Sequence, residues 1–315
     1  TKDLETLRKR SGEIEQFIIN ILQEPHTSFE ELGQKFAQLV RTPEPGATIP
    51  FAQLARGAKT RRLPLTKLTS WVLSDVGKVR EHNEDHYLAQ PFDAANGFFV
   101  VADGMGGHAS GEDASKIAID VMYASAIAQW TDVKTAQAPE GVREFLGAWI
   151  KHVNDNIFAT SQARNDPMGT TLTAALVLNG EVYVVNVGDS RTYLFRNGQL
   201  YPLTHDHSLV ASFAQAGIIK PEDVYTHPQR NEILRAVGLQ AQVNADIFNP
   251  VPLQADDRLV LCSDGLWEMV RPAQFTEILR RNSEPQKACI ALVSAANRNG
   301  GEDNITVIVV KVGLE

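Results

Sequence analysis

The chain has 315 residues and a formal net charge of −8, from 30 basic and 38 acidic side chains. It is 43% hydrophobic and 22% charged, enough apolar content for a large core without disulfide staples. The acidic balance argues against a nucleic-acid groove or an anionic membrane surface as partner. The longest apolar runs, such as 98–102 and 307–310, have the length of a strand rather than of a membrane span. No charged-then-apolar leader opens the chain, and Cys262 and Cys289 sit in apolar surroundings. A reducing, cytoplasmic location is therefore expected.

The acidity is uneven. Residues 1–67 hold 11 Lys and Arg against 8 Asp and Glu, a balance of +3 that leaves −11 for the remainder. Leu4, Leu7, Ile14, Ile18 and Ile21 recur at helical spacing, which also suits a short coiled-coil seam. Pro25 ends that pattern. A capping box over 27–31 then opens a second helix with Phe29, Leu32, Phe36 and Leu39 on its apolar face. The basic stretch 56–67 reads as a linker. Residues 1–67 are thus expected to form a helical extension, either packed on the main body or docking a partner or a second copy through residues 1–40.

From Leu68 onward the pattern changes to short strands and tight turns, in a second domain over 68–315. Strands are predicted over 86–89 and 98–102, and Asn-Gly pairs at 96–97, 179–180 and 197–198 predict two-residue hairpins. The runs 171–178, 181–187, 192–195 and 200–203 are expected to form one antiparallel meander. Both faces of 181–187 are apolar, so both should be covered. Helices are predicted over 112–130, 142–163, 272–281 and 285–297, ahead of a final strand at 304–312. Strands and helices in separate blocks point to an α+β layered fold.

Acidic residues fall at the strand ends. Asp103-Gly104 closes 98–102, Ser263-Asp264-Gly265 follows 258–262, and Gly188-Asp189-Ser190 follows 181–187. Glu302-Asp303 opens the last strand, and Asn83-Glu84-Asp85 precedes 86–89. Any one such turn is ordinary. Several together, each beside Gly, Ser or Asn, predict carboxylates gathered at one edge of the fold. Close carboxylates take up protons unless a cation sits among them. An all-oxygen set suits Mg²⁺ or Mn²⁺ rather than Zn²⁺, and ions held there let an acidic site receive a phosphate. A planar guanidinium suits the phosphoryl oxygens, with Arg80 and Arg191 as candidates. His82, His86, His205 and His207 are not arranged in a His-Glu-x-x-His motif, which disfavours zinc.

Residues 74–85, from Ser74 through Arg80 to Asp85, resemble the opening motif of the protein phosphatase 2C family, the metal-dependent protein serine/threonine phosphatases, in its bacterial branch. Ala102-Asp103-Gly104-Met105-Gly106-Gly107-His108 resembles that branch's second motif. Gly169-Thr170-Thr171, residues 187–191, residues 203–208, residues 263–267 and Asp303-Asn304 follow in the family's order. The resemblance implies a four-layer α-β-β-α sandwich of two antiparallel sheets flanked by helices. It implies hydrolysis of phosphoserine and phosphothreonine by direct attack of a metal-bridging hydroxide, in bacterial signalling, with phosphoproteins and a cognate kinase pathway as partners. By motif position Asp103 would bridge two Mn²⁺ or Mg²⁺ ions. Asp264 and Asp303 would complete the first site, and Glu84 with the Gly104 carbonyl the second. Asp85 would hold metal-bound water, and Asp189 with Asp264 a third, weaker ion. Arg80 matches the phosphate-binding arginine, and 206–235 the flap beside the site. Met105 stands where some members have a histidine, so the general acid is open between His108 and water. Two alternatives remain: a catalytically weak relative whose extension makes it a regulatory binding module, and another class of metallophosphohydrolase or nuclease.

Overall fold

The computed structural model describes residues 67–106, 108–136 and 138–314. The predicted extension over 1–67 lies, apart from Lys67, outside the described residues. The described chain opens with β1 (Lys67–Asp75), β2 (Asp85–Pro91) and β3 (Gly97–Gly106), followed by the long helices α1 (His108–Thr135) and α2 (Pro139–Arg164). Then come β4 (Met168–Thr170), β5 (Leu172–Leu178), β6 (Glu181–Val187), β7 (Arg191–Arg196) and β8 (Gln199–Pro202). The predicted flap holds a short helix, α3 (Leu209–Gln215), and a 3-10 turn at Pro221–Tyr225. β9 (Asp246–Ile247), β10 (Val251–Pro252), β11 (Arg258–Cys262), α4 (Asp264–Trp267), α5 (Pro272–Arg281), α6 (Pro285–Arg298) and β12 (Ile305–Gly313) complete it. Proline opens α2, α5 and α6, where its missing N–H is no loss. Asn165, in the left-handed region at φ 51°, ends α2. No helix among the described residues is long and apolar enough to cross a membrane.

Two antiparallel sheets face each other, as the family resemblance implies. One runs β1-β12-β11-β7-β8 and the other β10-β6-β5-β3-β2, with β4 paired to β3 and β9 to β6. Alternation along each strand sorts its side chains into layers. Phe98 and Val100 of β3, with Leu176 of β5 and Val185 of β6, pack outward against Ala118 and Met122 of α1 and Leu146 and Trp149 of α2. On the opposite outer face, Tyr193, Val260 and Val309 pack against Phe275 and Leu279 of α5 and Leu292 of α6. The intervening residues Phe99, Val101, Ala175, Leu194, Leu259, Leu261, Ile308 and Val310 are also fully buried and lie on the strands' other faces. Each large apolar side chain so enclosed contributes about 1.5–3 kcal/mol.

The structure corrects two expectations. The four runs after Gly169 are not one meander. β5 and β6 belong to one sheet and β7 and β8 to the other, and the chain changes sheets at Gly188-Asp189-Ser190. Gly188 makes this crossover possible: its φ is 99°, and a Cβ there would strike the Thr171 side chain. The Asn179-Gly180 and Asn197-Gly198 hairpins form as expected, with φ of 52° and 80° in the first and 51° and 74° in the second. Asn96-Gly97 does not make a two-residue turn. The β2–β3 loop spans 92–96, and Asn96 donates to Asp93 Oδ1 (2.7 Å) while its own Oδ1 accepts the Asn179 N–H (2.9 Å).

Leu261→Ala, in the fully buried inter-sheet layer, is expected to lose about 2–5 kcal/mol of unfolding free energy. Ile290→Ala, 48% exposed on α6, should lose no more than about 0.5 kcal/mol. Urea unfolding of both variants checks the layer assignment, and equal losses would contradict it.

Candidate metal centre

The antiparallel order brings the acidic strand ends to one end of the sandwich. Asp103 in β3 lies directly opposite Asp85 in β2. Cys262, the last residue of β11, pairs with Val307 near the start of β12, so Asp264 and Asp303 flank the same edge. Asp189 sits in the crossover between the sheets. Past Asp103 the strand leaves β2 and β5 and pairs with β4, Gly104 opposite Thr170. There α1 presses against Glu84, and a Cβ on Gly111 would run into Glu84 Oε2. The predicted carboxylates are therefore brought together.

Neighbouring side chains hold the acid-bearing loops in place. Asn304 accepts the Glu84 N–H through Oδ1 (2.8 Å) and donates through Nδ2 to the carbonyls of Val76 (3.0 Å) and His82 (2.9 Å). One amide thus fastens the whole opening motif to β12. Ser263 donates to Asp85 Oδ2 at 2.7 Å. Ser115 of α1 donates to the Glu84 carbonyl, and Trp267 Nε1 donates to the Asp189 carbonyl at 2.9 Å. The sequence reading assigned no role to Asn304, Ser263, Ser115 or Trp267. Ser263 and Asn304 directly adjoin motif acids in the sequence, which was the available signal, whereas the contacts of Ser115 and Trp267 join residues far apart in the chain.

The two candidate arginines part company. Arg80, 53% exposed, extends to Asp303 Oδ2 at 2.6 Å. Arg191 is buried instead. It grips Asp206 with two hydrogen bonds of 2.9 and 2.6 Å, reaches Tyr193 Oη at 3.0 Å, and stacks on the Trp267 ring at 3.5 Å. Its charge is engaged by Asp206 at the start of the predicted flap. His86 is turned to Ser115 (2.9 Å), and His207 to Asp246 (3.1 Å).

Burial withdraws the water that would stabilise the carboxylates' charge. It pushes the Asp103 carboxyl well above the ordinary range, reinforced by the charges of Asp85 and Asp264. Asp264 is raised in the same way, with Asp189 and Asp303 adding to burial. Asp85 is pushed up to about 7 by burial, against the hydrogen bonds of Ser263 and Thr306 that favour its charged form. Asp189 also reaches about 7, through burial and the charge of Asp206.

Among the described residues no three His, Cys, Asp or Glu groups close into a ready-made cation cage. Asp303 is held by Arg80 at 2.6 Å. The donors nevertheless fit a hard divalent cation. Asp85 Oδ1, Asp189 Oδ1 and Asp264 Oδ1 are all buried without a hydrogen-bond partner. Buried polar atoms are rarely left so, and oxygens of this kind are what Mn²⁺ or Mg²⁺ takes as ligands.

Fold and carboxylate edge together define a metal-dependent phosphohydrolase class, and comparison with known proteins narrows it. The protein phosphatase 2C family model matches residues 78–295. The serine/threonine phosphatase stp of Listeria innocua is 39% identical over 243 residues, covering 76% of this chain and 94% of that protein. The crystal structure of the Mycobacterium tuberculosis serine/threonine phosphatase PstP/Ppp aligns with a TM-score of 0.68 at 34% identity, over 78% of this chain and 99% of that one. The catalytic domain of PstP, solved in complex with two manganese ions, aligns with a TM-score of 0.65 at 33% identity, again over 78% and 99%. The chain belongs to the protein phosphatase 2C family.

The raised carboxyls have a measurable consequence. The folded metal-free protein retains protons that the unfolded chain has already released, so its stability falls as pH rises from about 4 to about 7. A bound cation removes that penalty. Mn²⁺ should therefore raise the melting temperature, and by more at about pH 7.5 than at about pH 5.5, where protons already neutralise part of the set. Circular-dichroism melts of chelator-treated protein with and without Mn²⁺ check this, and superimposable melts at the higher pH would contradict it.

Proposed function

We propose that the chain is a manganese- or magnesium-dependent protein phosphatase that removes phosphate from phosphoserine and phosphothreonine in other proteins. The partnerless buried oxygens of Asp85, Asp189 and Asp264 carry this reading. The names of its relatives and the two manganese ions of the PstP structure support it. Asp103 would be shared between two ions. Asp264 and Asp303 would complete one site, Glu84 and the Gly104 carbonyl the other, and Asp189 with Asp264 a third and weaker one. Such ions would supply charge neutralisation and a water that ionises near neutral pH.

The chain's own side chains do the rest. Arg80 receives the phosphoryl oxygens through its planar fork, and its reach to Asp303 (2.6 Å) puts it at the carboxylate edge. Asp85, with one oxygen held by Ser263, keeps the other turned to the site as an acceptor for water. A cysteine-based reaction finds no support. Cys262 and Cys289 are free and buried, with burial pushing both thiols up, Cys289 to about 12. The enzyme would oppose a serine/threonine kinase in bacterial cytoplasmic signalling, with residues 1–67 as a regulatory or self-associating extension and 206–235 as a flap.

Hydrolysis of a phosphothreonine peptide tests the assignment. Turnover should require Mn²⁺ or Mg²⁺, stop with chelator, and vanish in Asp103→Ala and Asp264→Ala. Arg80→Ala should lower kcat/KM by about 10²-fold or more, the usual cost of losing one charge-stabilising donor. Wild-type rates in both aspartate variants would sink the assignment.

A further inference from the structure

Near the carboxylates the two sheets are joined by hydroxyl groups rather than by apolar side chains. Thr173 of β5 and Thr192 of β7, both fully buried, meet across the sandwich with their Oγ1 atoms 2.7 Å apart. Two residues nearer the acids, Thr171 and Ser190 make the same contact at 2.8 Å and are equally buried. Thr171 differs from Thr173 in one respect. Its Oγ1 also accepts the backbone N–H of Asp103 at 3.1 Å.

Asp103 is held from its other polar group as well. Its carbonyl accepts the Thr171 N–H at 2.8 Å and the Thr170 hydroxyl at 2.8 Å. Thr170 in turn exchanges both backbone hydrogen bonds with Val237, at 3.0 and 2.9 Å. Two consecutive threonines thus grip both sides of one aspartate. Ser190, which braces the first grip, directly follows Asp189. The Thr171 side chain is confined in turn, for it packs against the space where Gly188 lacks a Cβ.

A carboxylate surrounded by like charges is driven to turn away, and its backbone decides whether it can. We infer that Thr171 is a positioning residue of the metal centre: its hydroxyl, braced by Ser190, fixes the direction in which Asp103 projects its carboxylate and so sets the site's affinity for a divalent cation. The inference rests on the reading of Asp103 as a metal ligand. Thr171→Val keeps the side chain's shape and leaves the Asp103 N–H buried without its acceptor. Groups that orient a metal ligand in this way change affinity by about 10–100-fold when removed.

Calorimetric titration of Mn²⁺ into the chelator-stripped full chain tests this without reference to turnover. Thr171→Val should bind Mn²⁺ about 10–100-fold more weakly than wild type. Thr171→Ser, which restores the hydroxyl, should stay within about threefold. So should the Thr173→Val/Thr192→Val double variant, which deletes both members of a pair that touches no carboxylate. Ser190→Ala retains the Thr171–Asp103 bond and removes only its brace. It should give a smaller loss, and it decides the matter if Thr171→Val does not fold. Asp103→Ala should abolish the tight binding. If it does, but Thr171→Val and Ser190→Ala bind as wild type, the positioning role is wrong and the metal assignment stands. Equal weakening in the double variant also overturns the role, because the loss would then be one of general packing. Unchanged binding in Asp103→Ala would overturn the metal assignment itself.

Discussion

Asp85, Asp103, Asp189 and Asp264 repel one another at the end of a folded sandwich, where burial withholds the water that would screen them. Two carboxylates about 4 Å apart at an effective dielectric of about 20 repel by about 4 kcal/mol. A whole domain is stable by only about 5–15 kcal/mol. A set of buried carboxylates that raise one another's pKa therefore cannot all remain charged and unaccompanied. Protons relieve them in acid, as the upward shifts of all four groups express. Near neutrality a cation must do so, and Arg80 brings a single charge, paired with Asp303. Divalent ions would answer the same demand more fully, and would let an acidic edge receive a phosphate.

The rest of the architecture can be understood as the means of holding those acids in place. Two apolar layers outside the sheets and one between them supply the stability from which the repulsion is subtracted. At the site end, polar fastenings take over from apolar packing: Asn304 on the opening motif, Ser263 on Asp85, and the Thr171–Ser190 pair beside Asp103. The segment 206–235 is fastened to the same edge. Arg191 clamps Asp206, and Arg230 reaches Glu268 at 3.3 Å and Glu302 at 3.2 Å, residues close in sequence to Asp264 and Asp303. The side chains flanking the acids thus also hold the segment 206–235.

Much of this was legible in the residues. Asp-Gly and Asp-Asn pairs at strand ends survive as sequence signals because tight turns demand those residue types, so the acid edge could be located before any coordinates. The helices predicted over 112–130, 142–163, 272–281 and 285–297 also fell where apolar spacing placed them, while those predicted before residue 67 lie outside the described residues. What escaped was whatever depends on which sheet a strand joins. The runs on either side of Gly188 look alike in sequence, and only the crossover separates them, so a two-sheet connection read as a meander. Asn96 has the letters of a hairpin turn, but its side chain is engaged by Asp93 and Asn179. By residue type Arg191 was as much a candidate for phosphate as Arg80, which only the family resemblance favoured, and Asp206 and Trp267 enclose it. The hydroxyls of Thr171, Ser190 and Ser263 stood inside recognised motifs, but what they hold could not be read, because each one's partner belongs to the opposite sheet.

Anomalous diffraction from crystals grown with Mn²⁺ tests the central claim most directly. The account predicts manganese peaks at this edge that share Asp103, with Asp264 and Asp303 on one ion, Glu84 on the other, and Asp303 released from Arg80. Manganese bound elsewhere, or an edge that stays free of metal at saturating Mn²⁺ and neutral pH, would contradict it.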